Sequence, residues 1–132
     1  LLKNELEHKN IDVNFKVRPE NLTLTADEKL IEQVLINLVQ NSVKALEKTS
    51  EPKIILSAVY QDNKYKIEVA DNGDGIEDEI LENIFVPFFS TRENGTGIGL
   101  SLSRQIMTLH NGVIAVRSQP GFETVFTLIF ES

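Results

Sequence analysis

The 132-residue sequence has no cysteine and no tryptophan, and only two histidines. Without thiols there is no disulfide and no thiolate metal site, and the redox compartment stays open. His8 and His110 are too far apart in sequence to suggest a zinc pair. No apolar run approaches the roughly 20 residues of a membrane helix, and no signal-like segment opens the chain. Positive charge is also scarce. Thirteen Lys and Arg stand against 20 Asp and Glu, a formal charge of −7. With no basic cluster to offset that, nucleic acid and anionic membrane are disfavoured partners.

What is present suits one soluble domain spanning 1–132. The hydrophobic fraction is 41% and the charged fraction 25%, and the length is that of a domain with its own core. Residues 1–10 are mostly polar and read as the remnant of an upstream helix or linker. The first residue is Leu rather than Met, which fits a piece of a longer protein. Ile11, Val13, Phe15 and Val17 alternate with polar residues, as in a half-buried strand ended by Pro19, and Leu22 and Leu24 suggest a second short one.

Thr25 and Glu28 form a capping-box pattern ahead of a helix over about 26–48. Its apolar stripe is Ile31, Val34, Leu35, Leu38, Ser42, Ala45 and Leu46. Asn37, Asn41 and Lys44 fall together at the margin of that stripe. Asparagine is a mediocre helix former, so the pair is either simply solvated or kept for its carbonyl oxygens, which suit a hard cation, with Lys44 left to neutralise phosphate. Strands follow at about 53–60 and 65–70, joined as an antiparallel hairpin. Tyr65, Ile67 and Val69 share one face of the second strand, which delivers Asp71 to the turn Asp71-Asn72-Gly73-Asp74-Gly75-Ile76. An ionised carboxylate there only accepts hydrogen bonds, so it suits a ligand offering an N–H, such as an adenine amino group. Taken alone, the stretch reads first as an ordinary Asn-Gly turn.

A short helix is expected at 77–83, then the aromatic segment Ile84 to Phe89 and a polar, mobile stretch from Ser90. Gly95-Thr96-Gly97-Ile98-Gly99-Leu100 leads into a helix containing Leu102, Ile106 and Leu109, ended by Asn111-Gly112. Strands at 113–118 and 124–130 close the chain around a turn at 119–122. A glycine loop at a helix start can cradle phosphate, yet three motifs fail here. No strand runs directly into the loop, as a dinucleotide fingerprint requires, and no Lys-Ser or Lys-Thr pair follows it, as a P-loop requires. Around Asp71, glycines stand where a calcium loop needs oxygen ligands.

The set remaining, in order, is Asn37, Asn41 and Lys44, then Asp71-x-Gly73-x-Gly75, then Phe88-Phe89, then Gly95-x-Gly97-x-Gly99. It resembles the catalytic, ATP-binding domain of sensor histidine kinases in the GHKL superfamily, from about residue 11 to 130. Asn37 to Lys44 looks like the N box, Asp71 to Gly75 the first glycine box, Pro87 to Arg92 the F box and Gly95 to Leu100 the second glycine box. The resemblance implies an α/β two-layer sandwich, the Bergerat fold: a mixed, mostly antiparallel sheet backed by three helices. It implies ATP and Mg²⁺, with Asp71 receiving the adenine amino group and Gly73, Gly75 and Ile76 beside it. Asn37 and Asn41 would be catalytic, Asn41 would ligate Mg²⁺, and Lys44 would reach the phosphates. Thr91, Arg92, Gly95, Thr96, Gly97, Ile98, Gly99 and Leu100 would shape the lid and its phosphate contacts. Thr124 resembles the threonine that helps fix adenine, although Phe122-Glu123 replaces the family's usual residues before it, and Asn111 stands where glycine is common.

The activity so implied is transfer of the ATP γ-phosphoryl to a histidine on a separate helical dimerisation domain. A response regulator would lie downstream, in the cytoplasm, without nucleic-acid or membrane contact. His8 lacks an acceptor pattern and reads as solvent-exposed, and His110 as structural. The alternatives are an ATP hydrolase or serine kinase of the same superfamily, or a non-catalytic ATP-sensing module. Hydrolases of the superfamily carry a glutamate near the place of Asn37, and an amide cannot serve as a base.

Overall fold

The computed structural model describes residues 6–20, 22, 24, 26–86 and 99–131. They include β1 (Asp12–Arg18), α1 (Glu28–Ala45), β2 (Lys53–Gln61) and β3 (Lys64–Asp71). After these come α2 (Asp78–Leu81), α3 (Gly99–Leu109), β4 (Val113–Gln119) and β5 (Glu123–Glu131). The strands form one sheet in the order β1-β2-β3-β5-β4. β1 lies parallel to β2, and the other three pairings are antiparallel. The sheet is thus mixed and mostly antiparallel, as expected. A parallel pair requires a crossover, and α1 supplies it. The β2–β3 hairpin turns through Asp62 and Asn63, both at positive φ (56° and 64°), the pattern of a two-residue type I′ loop.

Register explains which face is buried. Val17, Ala58, Ile67, Leu128 and Ile114 lie side by side across the five strands, as do Phe15, Leu56, Val69, Phe126 and Val116. These rows share the face that the helices cover, where Val69 and Leu128 are fully buried. The next row on that face is Val13, Ile54, Asp71, Thr124 and Ser118. Apolar packing therefore gives way to three polar side chains at one end of the core.

α1 lies over this sheet and packs against α3 and β3. Its buried side is wider than the expected stripe. Val39 and Val43 join Ile31, Val34, Leu38, Ser42 and Leu46, while Leu35 is only half-buried; the added valines lie on the flank away from Asn37, where Val43 borders Ile11 and Pro52. The cap also differs. Asp27 starts the helix, its Oδ1 accepting from the Leu30 amide at 3.1 Å, while Thr25 of the expected Thr25–Glu28 box lies outside the described residues. Aspartate caps as well as threonine, and its place two residues further on shortens the helix. His110 ties this end to α3: its Nε2 accepts from the Asp27 amide at 3.1 Å and its Nδ1 donates to the Ile106 carbonyl at 2.8 Å. The histidine is structural, as expected, and His8 is exposed.

Other departures are local. β1 is less buried than its alternation suggests, with Phe15 72% exposed, because it is an edge strand. Leu22 and Leu24 lie in no strand. In α3 the buried residues are Ser101, Ser103, Ile106 and Met107, whereas Leu102 and Leu109 are exposed. Asn111 ends α3 at φ 56°, and the Gly112 amide then donates to the Met107 carbonyl at 2.8 Å. Among the described residues no helix is long and apolar enough to cross a membrane.

Candidate functional site

The site is built where β3 ends. Asp71 is the last residue of that strand and only 5% exposed, lying between Ile54 on β2 and Thr124 on β5. Its Oδ1 accepts from the Gly73 amide at 2.9 Å, which fixes the carboxylate within its own turn. Thr124 is equally buried. Its Oγ1 lies 2.9 Å from Ser118 Oγ, and that serine in turn accepts from the Ile76 amide at 2.7 Å. One hydrogen-bonded chain therefore links β4, β5 and the residue after the second glycine.

The glycines are required by space. A Cβ on Gly73 would stand 2.5 Å from the Ala45 carbonyl oxygen at the end of α1. Gly75 has φ +79°, and a Cβ there would meet Pro120 Cα at 2.6 Å. Between them Asp74 is held by its main chain. Its amide donates to the Ala45 carbonyl at 3.3 Å, and its carbonyl accepts from the Gly121 amide at 2.7 Å. Asn72 adds a brace to β2, accepting from the Lys53 amide at 2.7 Å and donating to the Glu51 carbonyl at 2.9 Å. The Asp71–Ile76 turn is thus pinned to the helix layer on one side and to the β4–β5 turn on the other.

On α1, Asn37 and Asn41 are half-buried and Lys44 is exposed, in keeping with a place at the margin of the buried face. Asn37 Nδ2 donates to the Gly99 carbonyl at 3.2 Å and approaches Ser103 Oγ at 3.4 Å, while its Oδ1 accepts from Gln33 at 3.0 Å. It therefore joins α1 to the first turn of α3, where Gly99 and Leu100 lie. Thr91, Arg92, Gly95, Thr96, Gly97 and Ile98, with Phe88 and Phe89, lie outside the described residues. Sequence reasoning missed Ser118. The signal was a hydroxyl on the inward parity of β4, after Ile114 and Val116, but its meaning depended on knowing that Thr124 lay opposite.

Residues 26–132 match the family described as histidine kinase-, DNA gyrase B- and HSP90-like ATPase. The chain belongs to that family. Within this ATPase family it is 42% identical, over 90% of its length, to the signal transduction histidine-protein kinase AtoS of Escherichia coli (strain K12). It is 36% identical, over 94% of its length, to the sensory histidine kinase/phosphatase NtrB of Vibrio alginolyticus. The chain spans only 19% and 38% of those two proteins. A nucleotide-free catalytic domain of the histidine kinase ThkA superposes with TM-score 0.87 at 35% identity, covering 98% of this chain and 86% of that one. The fold is that of a histidine kinase catalytic domain.

The residues present also suit the metal that such an ATPase domain implies. Magnesium keeps much of its water shell and is usually bound through one or two carboxylates together with substrate phosphates. The half-buried Asn41 brings a neutral carbonyl oxygen in place of a carboxylate, a hard oxygen donor that could complete such a shell beside the phosphates.

Proposed function

We propose that this chain, as one module over 1–132, binds ATP with Mg²⁺ and donates the γ-phosphoryl group to a histidine on a separate helical dimerisation domain. Its setting would be a cytoplasmic two-component system. The observation that carries this reading is the polar row Asp71–Thr124–Ser118 at the end of an otherwise apolar face. Asp71 accepts the adenine amino group, a role open to an ionised carboxylate, which only accepts. Thr124, held by Ser118, contributes a hydroxyl at the same edge, and Gly73, Gly75 and Ile76 form the adjoining wall. Across the pocket Asn41 offers its carbonyl oxygen to Mg²⁺, and the exposed Lys44 ammonium reaches the phosphates. When bound, the metal neutralises phosphate charge that would otherwise oppose transfer.

Asn37 acts by position. Its amide ties α1 to Gly99, and so sets the start of the helix that follows the second glycine box. Gly95, Gly97 and Gly99, with Thr96, Ile98 and Leu100, would line the phosphates, and Thr91 and Arg92 would belong to the lid. In the reaction, the acceptor imidazole nitrogen forms the new N–P bond while the bond from the γ-phosphorus to the bridging oxygen breaks, releasing ADP. Positioning and electrostatics carry such chemistry. Asn37 has no titratable group, which favours transfer over water activation and hydrolysis.

Two solved relatives support the setting. ThkA is known in complex with the response regulator protein TrrA, and the full-length kinase ShkA in complex with AMPPNP, an ATP analogue. The test is to mix the chain with an excised acceptor domain, labelled ATP and Mg²⁺. Acid-labile, base-stable label on the acceptor is the expected result. Steady phosphate release without acceptor would point to a hydrolase, and binding without either outcome to a sensing module.

A further inference from the structure

Phe85, in the aromatic segment after α2, has no part in the reaction described above. It is half-buried and packs against the core. Turns that continue from α2 carry its main chain there: the Asn83 amide donates to the Ile80 carbonyl at 2.9 Å, and the Val86 amide to the Asn83 carbonyl at 3.0 Å. Over its ring lies Arg104 of α3, with the guanidinium carbon 5.7 Å from the ring centroid. That is within the roughly 6 Å at which the negative face of an aromatic ring attracts a cation. Arg104 is exposed, while Ser101, Ser103, Ile106 and Met107 form the buried side of the same helix.

The pair falls where α3 begins. Arg104 lies one turn after Leu100, the last residue of the second glycine box. Its neighbour Ser103 belongs to a different contact. The Ser103 hydroxyl donates to the Gly99 carbonyl at 2.9 Å, and the Asn37 amide reaches that same carbonyl at 3.2 Å. The start of α3 is therefore gripped from two sides, by α1 through Asn37 and by the segment after α2 through Phe85. An exposed contact of this kind adds little to global stability. Its effect is local: it limits how the first turns of α3 can rotate or slide against the segment that carries Phe85. Those turns include Gly99 and Leu100, whereas the base is assigned to Asp71 at the end of β3. A change in the pin should therefore be felt by phosphates and not by the base.

We infer that Arg104 is a positioning residue for the phosphate half of the nucleotide site, holding the start of α3 in place through the ring of Phe85. This rests on the ATP-binding reading above. The test is calorimetric titration of the chain with ATP and Mg²⁺ and, separately, with adenosine. It compares the parent with Arg104→Gln, Arg104→Lys, Phe85→Leu and the double variant of Arg104→Gln with Phe85→Leu. Arg104→Gln is expected to bind ATP about two- to fivefold more weakly, the worth of one exposed cation–π pair, with adenosine unchanged. Arg104→Lys keeps a cation for the ring and should bind ATP more tightly than Arg104→Gln. Phe85→Leu keeps an apolar side chain for the core but no ring, and adding Arg104→Gln to it should cost no further ATP affinity. Unchanged ATP affinity in Arg104→Gln would overturn the inference, as would an equal loss on adenosine, the mark of a merely structural role. A full further loss in the double variant would also overturn it, because Arg104 would then act without Phe85. A parent chain that binds neither ATP nor adenosine would sink the nucleotide reading itself, and this inference with it.

Discussion

Replacing Asp71 in two ways separates its part in the fold from its part in binding. The carboxylate is 5% exposed and accepts the Gly73 amide at 2.9 Å. Asp71→Ala removes that acceptor and strands a buried N–H, so the protein should lose about 1–3 kcal/mol of stability. Asp71→Asn keeps an oxygen for Gly73 at nearly the same volume, and its stability cost should stay below about 1 kcal/mol. Adenine recognition discriminates differently. Alanine cannot accept the amino group, and asparagine has one acceptor already engaged by Gly73 and a second arm that can only donate. Both variants should therefore lose a charge-assisted hydrogen bond of about 1.5–3 kcal/mol, or roughly 10- to 150-fold in ATP affinity. Urea unfolding gives the first pair of numbers and calorimetry the second. Wild-type ATP affinity in Asp71→Asn would refute the assignment of the base to this carboxylate, however the stabilities fell.

Other perturbations follow from the same geometry. Asn41→Ala should abolish the magnesium dependence of ATP binding, read by titration with and without the ion; a variant that still binds more tightly with Mg²⁺ would place the ligand elsewhere. Gly73→Ala forces a methyl to within 2.5 Å of the Ala45 carbonyl, and should cost about 2–4 kcal/mol in chemical unfolding through overpacking and the loosened Asp74 bond. Gly121→Ala has open space and only a φ of +78° to oppose it, so it should cost about 1 kcal/mol. Equal losses from the two glycines would contradict the steric account. His110→Ala removes the acceptor for Asp27 and an edge-on contact with Phe130 at 6.4 Å, and should lower stability by about 1–2 kcal/mol in a thermal melt.

Much of this was legible because it rests on local rules. The alternation Tyr65-Ile67-Val69 placed Asp71 on the inward face, and glycines at 73 and 75 marked the turn before any packing was known. The hairpin at Asp62-Asn63 was equally plain. What failed was decided by tertiary neighbours. Phe15 alternates correctly but lies on an edge strand and is largely exposed. Val39 and Val43 are buried on a flank that helical periodicity assigns to solvent, where Val43 lies beside Ile11 and Pro52, residues outside the helix. Ser118 matters because register sets it opposite Thr124, and register across β4 and β5 is not written in either strand alone. Cap choice turned on Asp27 and Thr25, two good N-caps two residues apart, between which local sequence does not discriminate.

The position between the two turn glycines is fixed in space by its amide and its carbonyl, each committed to a different layer, while its own side chain points to water. Any residue with an N–H and no bulk near the main chain could stand at Asp74 and leave the rivet intact. Proline alone would shear it, having no hydrogen to give to Ala45. The tolerance of that site and the intolerance of its two neighbours are one fact: here the chain is read by its backbone, and the letter at position 74 is nearly free.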